Sequence, residues 1–310
     1  MKRYKLALSA TALAAGTALA PLAQAGAVIG LSTAGNGVYD TYADLWTNVT
    51  DTGLSTGFVP GLTVGPGGAA PYTTELRTQM VVGTMSNSNV PAIVTPAGLN
   101  STFQLTQVVR FQEEVDSQTA TTAHFTMPTS QSAAMDVDPL HAGVQNYAIY
   151  YSPGDQAVPG NGPGTVRCYG TGVTEAGCTP ATLIMSGHLI FNDASFTASG
   201  AVGTGSFDSS FMIDYVNAAY LDIATGSIIS DVITGTTNVP SFFSPTSMWD
   251  GTTPTTVPYL KIDSSQSFAA LAVPEPATLA LMGLGFAGLA LSSRRRPRGN
   301  AIALQTMQPC

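Results

Sequence analysis

The sequence predicts an all-β, antiparallel domain of sandwich or jelly-roll-like architecture, and three observations point there. Only 10% of the 310 residues are charged, against about 25% in an ordinary soluble domain. Surface helices need Lys, Glu and Arg on their polar face, so few such helices are expected. Aromatic and β-branched residues recur at period two in several short runs. Gly, Asn, Asp and Pro punctuate those runs.

The runs fall in order along the chain. Residues 102–115 carry Phe103, Leu105, Val108, Val109, Phe111 and Val115. Residues 146–152 read NYAIYYS and 182–191 read TLIMSGHLIF. Residues 206–223, with Phe207, Phe211, Ile213, Tyr215, Tyr220 and Leu221, follow, then 227–233 and 259–268. Turns are expected at Asn192-Asp193, Ala224-Thr225-Gly226 and Asp250-Gly251, and loops at 60–71 and 153–164. Residues 40–48, DTYADLWTN, are read as one short helix.

Both ends read as processing segments. Lys2, Arg3 and Lys5 precede an Ala-rich apolar run over 6–20, and Ala23-Gln24-Ala25 offers a small-x-small cleavage site. That order is a signal peptide over 1–25, cut after Ala25 by signal peptidase. The ectodomain, 26–272, is long enough for a sizeable core. It holds four cations, Arg77, Arg110, Arg167 and Lys261, against eighteen carboxylates, a net of −14. So acidic a surface repels phosphate backbones, so no nucleic-acid partner is expected.

At the other end, Pro274-Glu275-Pro276 is followed by an apolar run over 277–293 and then Arg294-Arg295-Arg296. As a helix the run would be about 26 Å long, enough for a bilayer core. After a cleaved signal peptide it acts as a stop-transfer, with the arginines left in the cytoplasm. This three-part order over 273–298 resembles the PEP-CTERM sorting signal of exosortase substrates. The resemblance implies a Gram-negative host, an inner-membrane precursor, recognition by exosortase, and delivery to the outer surface or matrix. It also implies an association with exopolysaccharide, biofilm or flocculation. Residues 299–310 extend past the usual end of such signals. A G-x-G-x-x-G pattern at 283–288 lacks the strand and acidic partner of a dinucleotide site and is explained by small residues in a membrane helix.

Chemistry is sparse. Cys168 and Cys178 flank a Gly-rich segment and would form a disulfide in an oxidising compartment. His124, His141 and His188 lie far apart in sequence and read as structural. Asp136 and Asp138, in the acidic segment that ends at His141, are the candidate ligands for Ca²⁺, but two carboxylates fall short of a complete site. That segment is expected on an exposed loop, and no cofactor is assigned. Glu113, Glu114 and Asp116 could mimic a glycosidase pair, yet nothing in the sequence sets their spacing. Trp46 and Trp249, with Tyr39, Tyr42 and Tyr259, are a possible sugar platform, although core packing is the expected fate of both tryptophans. Three functions are therefore carried forward. They are a non-enzymatic surface or matrix protein, a carbohydrate-binding module using Ca²⁺ or aromatics, and a secreted hydrolase.

Overall fold

The computed structural model describes residues 27–154, 181–199, 202–237 and 259–269. The signal segment, the PEP segment with its apolar run, Cys168, Cys178 and Trp249 lie outside the described residues. Everything described belongs to the unit that ends at Leu271.

Among the described residues the structure is strand, apart from one 3-10 turn at Ala133–Met135. Thirteen strands form: β1 Ile29–Leu31, β2 Thr41–Ala43, β3 Leu45–Thr56, β4 Tyr72–Asn87, β5 Val90–Ile93, β6 Phe103–Gln118 and β7 Thr122–Thr126, then β8 Tyr147–Pro153, β9 Thr182–Ser199, β10 Val202–Val216, β11 Leu221–Asp222, β12 Ile228–Thr236 and β13 Tyr259–Ala269. Among the described residues no helix is long and apolar enough to cross a membrane.

The main sheet runs β4-β3-β13-β12-β10-β9-β7-β6, and β6 then pairs back onto β4. The ladders, all antiparallel, therefore run full circle. Between β6 and β9, β7 fills one half of the gap and β8 the other. Closure leaves no long edge exposed between these strands. The interior is narrow enough for opposite walls to touch. Phe111 of β6 lies 6.2 Å from Phe211 of β10, and Tyr147 of β8 lies 5.0 Å from the same ring. The core is thus filled with side chains, as in a sandwich.

β10 shows why these residues make strands. Gly203, Gly205, Phe207, Ser209, Phe211 and Ile213 are buried, while Val202, Thr204, Ser206 and Asp208 are exposed. That period of two puts one set in the core and the other in water. A second, smaller sheet, β11-β1-β2, lies at one end of the ring. Its Ile29, Leu31, Ala43 and Leu221 join the main core. Trp46 sits fully buried, edge-on to Phe268 at 5.1 Å.

Two local expectations fail. Residues 40–48 form β2 and the start of β3, not a helix. Tyr39, Tyr42, Ala43 and Trp46 have helical spacing, but the burial alternates: Thr41 and Ala43 face inward, Tyr42 outward. Asp44 turns the chain from the small sheet into the barrel, where its carboxylate accepts the Ser88 amide at 2.9 Å. Asn192-Asp193 is not a turn but lies inside β9. Both side chains find partners in the strand: Asn192 bonds Glu113 and Ser209 inside, and Asp193 bonds His124 outside.

Candidate functional site

A regular polar surface covers the outer face of β9, β10, β12 and β13. Strand register builds it. Thr197, Thr204, Thr236 and Lys261 stand side by side in one cross-strand row. Ser195, Ser206, Thr234 and Asp263 form the next. β7 extends both rows through Thr122 and His124. Neighbouring strands lie about 4.8 Å apart, and successive outward residues about 6.8 Å apart along a strand. The result is a grid of hydroxyls, each able to donate and accept. These eight residues line a shallow depression of about 430 Å³.

The triplets Thr204-Gly205-Ser206 and Thr234-Gly235-Thr236 pair with one another residue for residue. Their glycines point inward. A Cβ on Gly205 would lie 3.1 Å from the Phe207 ring, and one on Gly235 would lie 3.3 Å from Ile262 Cγ2. Core packing thus demands the glycines, while the hydroxyls stay outside. Lys261 Nζ is 3.7 Å from Asp263 Oδ2, so the depression carries one charge of each sign.

His124 borders this face. Its Nδ1 lies 2.7 Å from Asp116 and its Nε2 2.9 Å from Asp193. The Asp116 hydrogen bond, ahead of the Asp193 contact, raises its pKa above 6.5 against a smaller opposing effect of burial. The imidazole is 41% exposed and lies on the sheet surface, not in a cleft. His188 pairs with Asp214 at 2.6 Å, also half exposed.

The segment expected to be an exposed loop is partly buried instead. Asp138 is 1% exposed. Its Oδ2 accepts from Ser186 Oγ at 2.6 Å and lies 2.5 Å from His141 Nδ1, while Oδ1 accepts the Leu140 amide at 3.2 Å. Asp136 Oδ1 accepts the amides of Asp138 and Gln145. The His141 ring stacks on Tyr215 at 3.7 Å. Burial, with Asp138 and then Asp136 nearby, pushes the Tyr150 phenol up to about 12. Both carboxylates are spent on folding the loop, which is why it does not project as a ligand loop. Among the described residues no group of three or more His, Cys, Asp or Glu is placed to hold a metal ion.

The acidic run of β6 divides between the two faces. Glu113 is buried inside, whereas Glu114 and Asp116 face out, so the sheet separates the two nearest carboxylates. Trp46 is core, and Tyr39 gives its hydroxyl to the Ala218 carbonyl at 2.8 Å, so no platform forms from them. Sequence reasoning passed over Ser195, Thr197, Thr204, Ser206, Thr234 and Thr236. The hydroxyl-Gly-hydroxyl triplet, at 204–206 and again at 234–236, was the available signal.

A family model for the PEP-CTERM protein-sorting motif matches residues 272–296, which include Pro274, Glu275, Pro276 and Arg294 to Arg296. No curated protein and no solved structure matches the chain. The motif is one that exosortase recognises, and it marks an exported surface protein.

Proposed function

We propose that this PEP-CTERM motif-bearing protein is a non-enzymatic surface or matrix component that associates with exopolysaccharide and supports flocculation or biofilm formation. The carrying observation is the double row of hydroxyls on β9, β10 and β12, ended by Lys261 and Asp263 on β13. A hydroxyl-rich polymer laid on such a grid exchanges its water contacts for many weak hydrogen bonds, and affinity accumulates by repetition. The net −14 of the ectodomain adds a second contact mode, because divalent cations can bridge it to acidic polysaccharide. Export follows the order of the sequence: signal peptidase cuts after Ala25, the 277–293 run holds the precursor in the inner membrane of a Gram-negative host, and exosortase cuts near Glu275. In the oxidising compartment Cys168 and Cys178 pair. Deletion of the gene, scored for flocculation and exopolysaccharide retention, tests this role. Restoration by the native gene but not by a copy lacking the hydroxyl face supports it. Unchanged aggregation after deletion contradicts it.

A further inference from the structure

The barrel ends differ. The small sheet packs its apolar residues into one end. At the other, the interior opens into a cavity of about 220 Å³. Phe125 of β7, Phe196 of β9, Phe207 of β10 and Leu260 of β13 wall it, and Phe58 covers it. The Phe58 ring lies 5.7 Å from both Phe125 and Phe196. The loop that brings Phe58 there is fastened down. Val64 N donates to the Gln118 carbonyl at 2.9 Å, and Gln118 Nε2 donates to the Val59 carbonyl at 2.7 Å. Tyr72 OH donates to Gln118 Oε1 at 2.7 Å.

One carboxyl, Glu113, lines this apolar space and is 1% exposed. Asn192 Nδ2 donates to its Oε1 at 2.9 Å, and Ser209 Oγ holds Asn192 in turn at 2.8 Å. Among the described residues no other group bonds this carboxyl, and no cation lines the cavity. Asn192 engages one oxygen of Glu113, so the carboxyl keeps acceptor capacity for a group placed in the cavity. Ring walls, an anchored carboxyl and a fastened roof together make a built site at a barrel mouth.

We propose that the cavity binds a compact aromatic or aliphatic molecule carrying one hydrogen-bond donor, a hydroxyl or an amine, that ends on Glu113. The volume admits roughly seven water-sized groups at about 30 Å³ each, so the occupant is a single ring with a short polar tail. The phenylalanine rings favour an aromatic body in edge-to-face contact. Above about pH 7, where Glu113 is ionised, a carboxylate ligand is rejected because it would meet Glu113 with like charge and no donor. The site is independent of the hydroxyl face.

The test is calorimetric titration of the full-length protein at about pH 8, above the Glu113 value of about 7, with benzyl alcohol, benzylamine, toluene and benzoate. Benzyl alcohol or benzylamine should bind about ten-fold more tightly than toluene, one hydrogen bond's worth, and benzoate should not bind. The tighter of the two donors identifies a neutral or a cationic head group. Glu113→Gln should erase the advantage of benzylamine over toluene, and Ala198→Leu, which fills the cavity, should abolish binding of all four. Intermolecular NOEs from the ligand ring to Phe58 and Phe196 locate the ligand in the native protein, whatever the variants do. Equal affinity for the four probes, no binding at millimolar concentration, or NOEs that miss these rings would overturn the proposal.

Discussion

Gln107 Nε2 donates to Asp231 Oδ2 at 2.6 Å across the barrel, joining β6 to β12 on the opposite wall. Ser264 Oγ donates to the other oxygen, Oδ1, at 2.7 Å, and Asn48 Nδ2 reaches both Gln107 Oε1 and Ser264 Oγ. Four strands thus meet through a polar knot inside the barrel. The knot fixes which side chains face one another, because a slip of one residue in β6 or β13 would turn Gln107 or Ser264 outward and leave Asp231 buried without that partner.

That knot makes stability depend on pH. Burial, opposed by the Ser264 and Gln107 hydrogen bonds, raises Asp231 from 3.8 to about 7. Burial likewise raises Glu113 from 4.5 to about 7. The unfolded chain releases these protons near pH 4, whereas the folded chain keeps them to about pH 7. The folded state therefore binds more protons in this window, and stability falls as pH rises through it. His124, with its raised pKa, contributes stability that is likewise lost as pH rises through its folded value. Urea denaturation should show a higher midpoint at pH 5 than at pH 8. Asp231→Asn should flatten part of that slope and raise stability at pH 8, by an amount on the order of a few kcal/mol. An unchanged slope in that variant would contradict the assignment.

Among the described residues Trp46 is the largest fully buried side chain, and it links β3 to the Phe268 ring on β13. Trp46→Ala should cost about 3–5 kcal/mol through lost burial and the cavity left behind. Thermal and urea unfolding measure it directly. A loss below about 1 kcal/mol would mean that this end of the barrel is not packed as described.

Gly187 lies where β8, β9 and β10 come together. A Cβ there would lie 2.3 Å from the Met212 carbonyl oxygen, a backbone atom that cannot swing aside. Gly187→Ala should destabilise by about 1–3 kcal/mol or more. An exposed control such as Thr225→Ala should change little. Equal midpoints for the two variants would argue against this close approach.

Processing gives a prediction independent of the barrel. Mass spectrometry of the surface form should find the chain cut after Ala25 and lacking the segment from about Ala277 onward. Replacing Arg294, Arg295 and Arg296 with serine should accumulate the uncut precursor. Recovery of surface protein ending at Cys310 would count against exosortase processing.

Legibility in the sequence followed the kind of signal each feature leaves. β6, β8, β10 and β13 were readable because large apolar residues such as Phe103, Leu105, Phe207, Phe211 and Phe268 recur at period two. β4 was not, because Thr74 and Thr78 share its inward face with Leu76 and Met80 and dilute the alternation. β9 was read only to Phe191, because Asn192-Asp193 imitates a turn until Glu113, Ser209 and His124 are seen to satisfy it. The sorting signal was fully legible, being a linear order of residues. The hydroxyl grid was not, since Ser195, Ser206 and Thr234 become neighbours only through antiparallel register. Nor could sequence show that Glu113 faces inward onto four phenylalanines.

Co-sedimentation with exopolysaccharide tests the central claim most directly. The native protein and the triple variant Thr204→Ala, Ser206→Ala, Thr234→Ala would be spun with insoluble polysaccharide from the producing cells, with and without a chelator. The three hydroxyls are exposed and the alanines fit the strands, so folding should be retained. The account predicts that the native protein sediments, that the variant's apparent affinity falls about ten-fold or more, and that chelator weakens both by removing the cation-bridged share. Native protein that stays in the supernatant, or a variant that sediments as well as the native chain, would contradict it.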